Sequence, residues 1–178
     1  MAEINVPTFS STLRALQISG WSGTGKTLLI EQLRELLPGS KAYLKWTHHE
    51  APKDPETKDT GRIGLPHLLV GPDTVIVRAP HDQTQIYRVA TLLFAEYDWL
   101  LIEGDKTGPL PKILLGSAQP HWPACLWVSP TRPPWAPPAS HYPIDLPLTQ
   151  PSAHNLAIYI TQHRMTLSFS PDRFFDES

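Results

Sequence analysis

The chain has 178 residues, 40% of them apolar and 18% charged, which suits one domain with a sizeable core and excludes a disordered or fibrous protein. Its formal net charge of -2 supplies no field for a nucleic-acid backbone or an anionic membrane, so neither partner is expected. A single cysteine excludes an intrachain disulfide and a cysteine zinc site, and neither a targeting pattern in the first eleven residues nor an apolar run of roughly eighteen residues occurs, which together point to a reducing, cytoplasmic setting.

In chain order, residues 13–19 predict a short strand, and residues 26–37 a helix with Leu29, Leu33, Leu36 and Leu37 on one face. Pro38 and Gly39 end it. Residues 42–46 form a second strand candidate. The polar stretch 47–64, with its prolines, glycines and charges, predicts a long loop of the kind that serves as lid, switch or binding segment. Residues 68–71 and 74–78 predict two short strands joined by Gly71-Pro72-Asp73, which pair as a hairpin or lie side by side. Residues 85–97 set Ile86, Val89, Leu92, Leu93 and Ala95 at helical spacing, and the run Trp99-Leu100-Leu101-Ile102 predicts a strand buried on both faces. Further strands are expected at 112–115 and 124–128, and a last helix at 153–163 with Leu156, Ala157 and Ile160 inward. This alternation predicts an α/β fold, a P-loop NTPase-like and mostly parallel sheet flanked by helices with a short β-hairpin-like insertion, in one domain spanning 1–178. Prolines crowd residues 129–151 and predict an irregular, semi-rigid connection there. Residues 169–178 read as a tail that folds over the body or lies loose.

The chemistry concentrates in Gly20-Trp21-Ser22-Gly23-Thr24-Gly25-Lys26-Thr27, a phosphate-loop pattern set between a predicted strand and a predicted helix. Glycines let such a loop curl so that its amide N–H groups point inward at phosphate oxygens, while the helix that follows adds unpaired N–H groups and its positive end. Lys26 supplies a full charge for the β- and γ-phosphates, and Thr27 the hydroxyl that ligates magnesium, a hard ion that takes oxygen donors and keeps several waters. A second acid is expected where a neighbouring buried strand ends, on the magnesium side. Glu103 stands there, directly after the apolar run and before Gly104. Asp98 and Asp105 flank the same strand and read as solvated surface acids.

The candidate nucleotide site therefore comprises residues Gly20, Trp21, Ser22, Gly23, Thr24, Gly25, Lys26 and Thr27 with Lys45 and Asp59, Lys26 and Glu103 being the catalytic candidates and Thr27 and Glu103 the metal side. Thr47-His48-His49-Glu50 enters the polar loop, and three roles fit it: a metal site completed by Asp54 and Asp59, a solvated loop, or a switch segment that responds to the γ-phosphate with Lys45 as its main participant. Against the metal site, adjacent histidines on an extended chain face opposite ways and no zinc spacing occurs. Cys125, inside an apolar run, reads as a small buried hydrophobe, and Trp21 as a ring packed beside the phosphates.

Four stretches taken together resemble the molybdopterin-guanine dinucleotide biosynthesis protein B family: Ile18 through Thr27, Lys45-Trp46-Thr47-His48-His49, Lys58-Asp59-Thr60, and Leu101-Ile102-Glu103-Gly104 with Lys106 and Pro111-Lys112-Ile113. The resemblance implies a GTP-binding accessory protein that assists a molybdopterin guanylyltransferase in attaching GMP to molybdopterin, acting with magnesium as a homodimer and at most as a weak GTPase. Trp46, Asp105 and Leu114 depart from the residues usual in that family. The chain carries no Asn-Lys-x-Asp base-reading motif, so guanine preference rests on the resemblance. The residues themselves leave open an ATP-dependent small-metabolite kinase, with Arg132 reaching the transferred phosphoryl group, and a non-catalytic adaptor that uses nucleotide to order a docking surface.

Overall fold

The computed structural model describes residues 12–46, 67–72, 75–78, 83–108, 110–117 and 122–171. A six-stranded parallel sheet carries the fold, in the order β2-β5-β1-β6-β7-β8. Its strands are β1 (Arg14–Gly20), β2 (Lys41–Lys45), β5 (Trp99–Glu103), β6 (Lys112–Leu115), β7 (Ala124–Ser129) and β8 (His141–Pro143). A separate antiparallel hairpin is made by β3 (His67–Val70) and β4 (Val75–Arg78). The helices are α1 (Lys26–Leu36), α2 (Gln83–Leu93), α3 (Gln150–Gln162) and the short α4 (Arg164–Leu167). The fold class, the hairpin insertion and the apolar strand before Glu103 are as the sequence predicts.

Side chains alternate across the pleat, so each strand feeds two different cores. Leu16, Ile18, Leu101, Ile113, Leu115, Leu126 and Val128 face one way and bury Leu29 and Leu33 of α1 with Leu156 and Ile160 of α3. Ala15, Leu100 and Ile102 face the other way, toward Tyr87 and Ala90 of α2. Farther along that second face Leu114 and Trp127 are covered by Trp122 and Ala136, so the proline-rich segment takes the place a helix would occupy. That segment is more regular than expected: a short 3-10 turn over Pro138–Ser140 leads into β8. Proline is tolerated in β8 because the strand is the sheet's edge, where Pro143 costs no central ladder bond. The last helix starts three residues earlier than predicted. Thr149 caps it in a reciprocal box with Ser152, and Pro151 sits in the first turn, where a missing N–H is harmless.

The tail begins on the body. Phe169 is buried and pairs its backbone with Ala15 in both directions, at 2.8 and 3.0 Å, beside the part of β1 that β6 does not reach. Residues 172–178 lie outside the described residues.

The second helix departs most from expectation. It ends at Leu93, and the face turned inward is Tyr87, Ala90 and Thr91; Leu92 and Leu93 are 51% and 55% exposed. A buried polar network explains the rotation. Asp105 does not lie solvated: its Oδ2 accepts from Gln83 Nε2 at 2.6 Å and from the Tyr87 hydroxyl at 2.9 Å, and its Oδ1 from the Gly108 amide at 2.9 Å. Trp46 Nε1 donates to the same Tyr87 hydroxyl at 3.0 Å. Gln17 Nε2 donates to the Gly104 and Asp105 carbonyls at 3.1 and 3.2 Å. Lys112, wholly buried on β6, donates to the carbonyls of Asp105 at 2.6 Å, Gly108 at 2.9 Å and Lys106 at 3.3 Å. Unmet polar groups at this depth would cost more than exposing two leucines, so the network sets the helix face. Asp98, by contrast, is exposed and accepts from the Ser40 amide and hydroxyl at 2.7 and 2.9 Å, bonds that lower its carboxyl's pKa.

Truncating Phe169 to Ala is expected to lower the unfolding free energy by about 3 kcal/mol in urea titration, the usual loss for a buried aromatic. Burial holds the Lys112 ammonium down to about 8, opposed by the Asp105 charge. Between that value and the ordinary lysine value near 10.4 the unfolded chain binds the extra proton, so Lys112 makes stability rise with pH there. The wild type should gain stability relative to Lys112→Met between about pH 8 and about 9.5, and parallel profiles would refute the assignment.

Candidate functional site

The loop between β1 and α1 turns on two glycines. Gly20 has φ 141° and lies against the Leu115 carbonyl, where a side chain has no room. Gly25 has φ 88° at the helix N-cap, and a β-carbon there would stand 2.7 Å from Leu148 Cβ. Both positions therefore require glycine. Thr24 Oγ1 and Lys26 Nζ each donate to the Trp21 carbonyl, at 2.8 and 2.7 Å, which closes the loop on itself. Ser22 and Gly23 are exposed at its crest. The N–H groups of α1's first turn have no intrahelical acceptor, and Gly25 at the N-cap supplies no side-chain cap for them.

Glu103 arrives from β5 on the α1 face of the sheet and is 4% exposed. The Thr27 hydroxyl lies 3.3 Å from both of its carboxylate oxygens, the Tyr43 hydroxyl donates to Oε2 at 2.6 Å, and Lys45 Nζ stands 3.3 Å from Oε1. Strand register produces this meeting, since Lys45 of β2 pairs with Glu103 of β5 and Tyr43 shares a face with Lys45. These partners offset the cost of burying the carboxylate. Burial, and then the bond and charge of Glu103, push the Tyr43 phenol well above its usual pKa, so it stays a donor. Lys26 is lowered by burial first and by the charges of Lys106 and Lys45, with Glu103 opposing. The Lys26 ammonium thus feels two further ammonium groups and one carboxylate, an excess of positive charge suited to a polyanion.

The donor set fits magnesium. Thr27 Oγ1 and the Glu103 carboxylate are hard oxygen donors from facing elements, and their 3.3 Å separation is longer than a close O–H···O bond, so neither is consumed by the contact.

The structure thus brings together Gly20, Trp21, Ser22, Gly23, Thr24, Gly25, Lys26, Thr27, Lys45 and Glu103. Asp59, Thr47, His48 and His49 lie outside the described residues. Trp21 is held, its Nε1 donating to the Ser117 carbonyl at 3.0 Å and its ring tilted against Trp122 at 5.7 Å. Cys125 is half-buried against the core, and burial pushes its thiol up to about 11. Arg132 donates to the Ala136 carbonyl within its own loop. Sequence reasoning missed Tyr43 as a partner of Glu103; its spacing of two from Lys45 was the available signal. It named Lys106 only within the resemblance and missed its place over the Trp21 ring, 4.2 Å from the centroid, since no spacing rule brings those two residues together.

Residues 15–126 match the family model for molybdopterin guanine dinucleotide synthesis protein B. The molybdopterin-guanine dinucleotide biosynthesis adapter protein of Haemophilus influenzae is 32% identical over 109 residues, 56% of this chain and 61% of that protein, so the chain spans about three fifths of this relative's length. Two solved structures share the fold. The crystal structure of Bacillus subtilis MobB superimposes with a TM-score of 0.51 at 20% identity, over 82% of this chain and 96% of that one. The MobB homologue of Bacillus stearothermophilus gives 0.53 at 17% identity, over 85% and 98%. The family match runs from the phosphate-loop strand into β7 and takes in Glu103 as well as the loop, and on that extent the chain belongs to the molybdopterin guanine dinucleotide synthesis protein B family.

Proposed function

We propose that this chain is a GTP-binding accessory protein of molybdenum cofactor biosynthesis, which assists a molybdopterin guanylyltransferase in attaching GMP to molybdopterin. The observation that carries the nucleotide part is the approach of the Thr27 hydroxyl to the buried Glu103 carboxylate at the mouth of a glycine-shaped phosphate loop. The loop amides and α1 would hold the phosphates, and Lys26 would exchange the Trp21 carbonyl for phosphate oxygens. Thr27 and Glu103 would hold magnesium, which neutralises phosphate charge when bound. Lys45 and Tyr43 fix Glu103 in place. Because Tyr43 and Lys45 already engage the Glu103 oxygens, that carboxylate is poorly placed to serve as a general base for water, which supports slow hydrolysis at most.

Guanine rather than adenine, the guanylyltransferase as partner and a cytoplasmic setting are parts of this reading supported by the family membership and by the likeness to the Haemophilus adapter protein. A homodimer belongs to the same reading, supported by the hairpin, whose Val70, Ile76 and Val77 are exposed.

Calorimetric titration of the protein with GTP and with ATP, each with magnesium, tests the proposal. GTP is expected to bind at least tenfold more tightly than ATP, and Lys26→Ala, by deleting charge-assisted bonds worth about 1.5–3 kcal/mol each, to weaken GTP by about 100-fold. A preference for ATP would point to the kinase chemistry instead, and binding of neither nucleotide would end the proposal.

A further inference from the structure

Trp21 holds two lysines at once. Lys26 donates to its carbonyl at 2.7 Å, and Lys106 rests on its indole with Nζ 4.2 Å from the ring centroid. The indole is half-exposed and its orientation is fixed, by its bond to the Ser117 carbonyl and by Trp122 behind it. The main chain of Lys106 is fixed too, because Lys112 donates to its carbonyl and to that of Asp105. The Lys106 side chain is therefore the movable part of an otherwise rigid corner. Among the described residues its ammonium forms no ion pair with a carboxylate; the pairs present are Arg34 with Glu35 and Lys45 with Glu103. A cation on a partly exposed ring is held weakly, and phosphate oxygens offer it shorter, charge-assisted bonds.

Position specifies which phosphate. Lys106 follows Glu103 by three residues, and the segment between them is anchored to β1 by the Gly104 amide, which donates to the Ile18 carbonyl at 2.9 Å. On the nucleotide reading Glu103 would help to hold magnesium, which would neutralise charge on the terminal phosphates of a triphosphate. The loop carrying Lys106 thus leaves the sheet at the terminal-phosphate end, whereas Lys26 approaches from the loop's own base. The charge of Lys106 also reaches Lys26, which fits two ammonium groups converging on one polyanion.

We propose that Lys106 is a binding residue that reads the terminal phosphate, resting on the Trp21 indole and transferring to the γ-phosphate oxygens of a nucleoside triphosphate. This rests on the nucleotide reading above and adds to it a device that separates triphosphate from diphosphate. Trp21 supplies the resting place and would report the transfer through its fluorescence.

The test measures affinities for GTP and GDP, with magnesium, in the wild type, Lys106→Met, Lys106→Arg and Lys26→Ala, together with tryptophan emission in the wild type and Trp21→Phe. Lys106→Met keeps the aliphatic stem and is expected to weaken GTP by about tenfold and GDP by less than about threefold, while Lys106→Arg stays within about threefold of wild type for both. GTP should change the emission of the wild type and not that of Trp21→Phe. An unchanged GTP-to-GDP ratio in Lys106→Met, or wild-type emission indifferent to GTP, would overturn the proposal while a loss of binding in Lys26→Ala left the nucleotide site standing. If the wild type binds neither nucleotide, both readings fall.

Discussion

The Glu103 carboxylate is the joint on which the site depends. It ends β5, meets the first turn of α1 through Thr27, and receives a phenol and an ammonium from β2. Three elements far apart in sequence thus share one buried negative charge, and the two contacts from β2 depend on the parallel register that sets Lys45 beside Glu103. An ionised acid at this depth is stable only while its partners remain. The same requirement that keeps the carboxylate in place keeps β2 on the edge of the sheet and aligns α1 with the loop before it.

A second polar centre lies on the opposite face and does a different job. Lys112 and Gln17 tie down the segment that follows Glu103, and Asp105 binds it to α2 through Gln83 and Tyr87. Asp105 has φ 53°, a left-handed conformation that aspartate accepts more readily than most residues, and its carboxylate caps the Gly108 amide three residues on. The site is therefore held from both sides of the sheet: by charge at the α1 face, and by a hydrogen-bond network at the α2 face.

These two centres also show where the sequence was legible. The glycine-rich turn between β1 and α1 could be read because the phosphate-loop pattern sets glycines and a lysine at fixed spacing between a strand and a helix, and β5 because a strand buried on both faces must be apolar throughout. Glu103 followed from its position at the end of that strand. The inward face of α2 could not be read from hydropathy, since the residue that fixes it is a tyrosine whose hydroxyl is satisfied by Asp105, a partner 18 residues away. Leu92 and Leu93 gave a stronger apolar signal and point outward. In the proline-rich segment the local rule against strands was sound for a sheet interior. It failed at β8 because only tertiary placement reveals an edge.

The strand order has a consequence for how the protein comes into being. β1, which delivers the phosphate loop, has β5 and β6 as its neighbours, and both are encoded some eighty or more residues later. As the chain leaves the ribosome the glycine-rich segment emerges well before β5 and β6, and it has no walls until residue 115 has followed. A nascent chain stopped before that point would carry the whole phosphate-loop sequence and lack the shape that makes it a site.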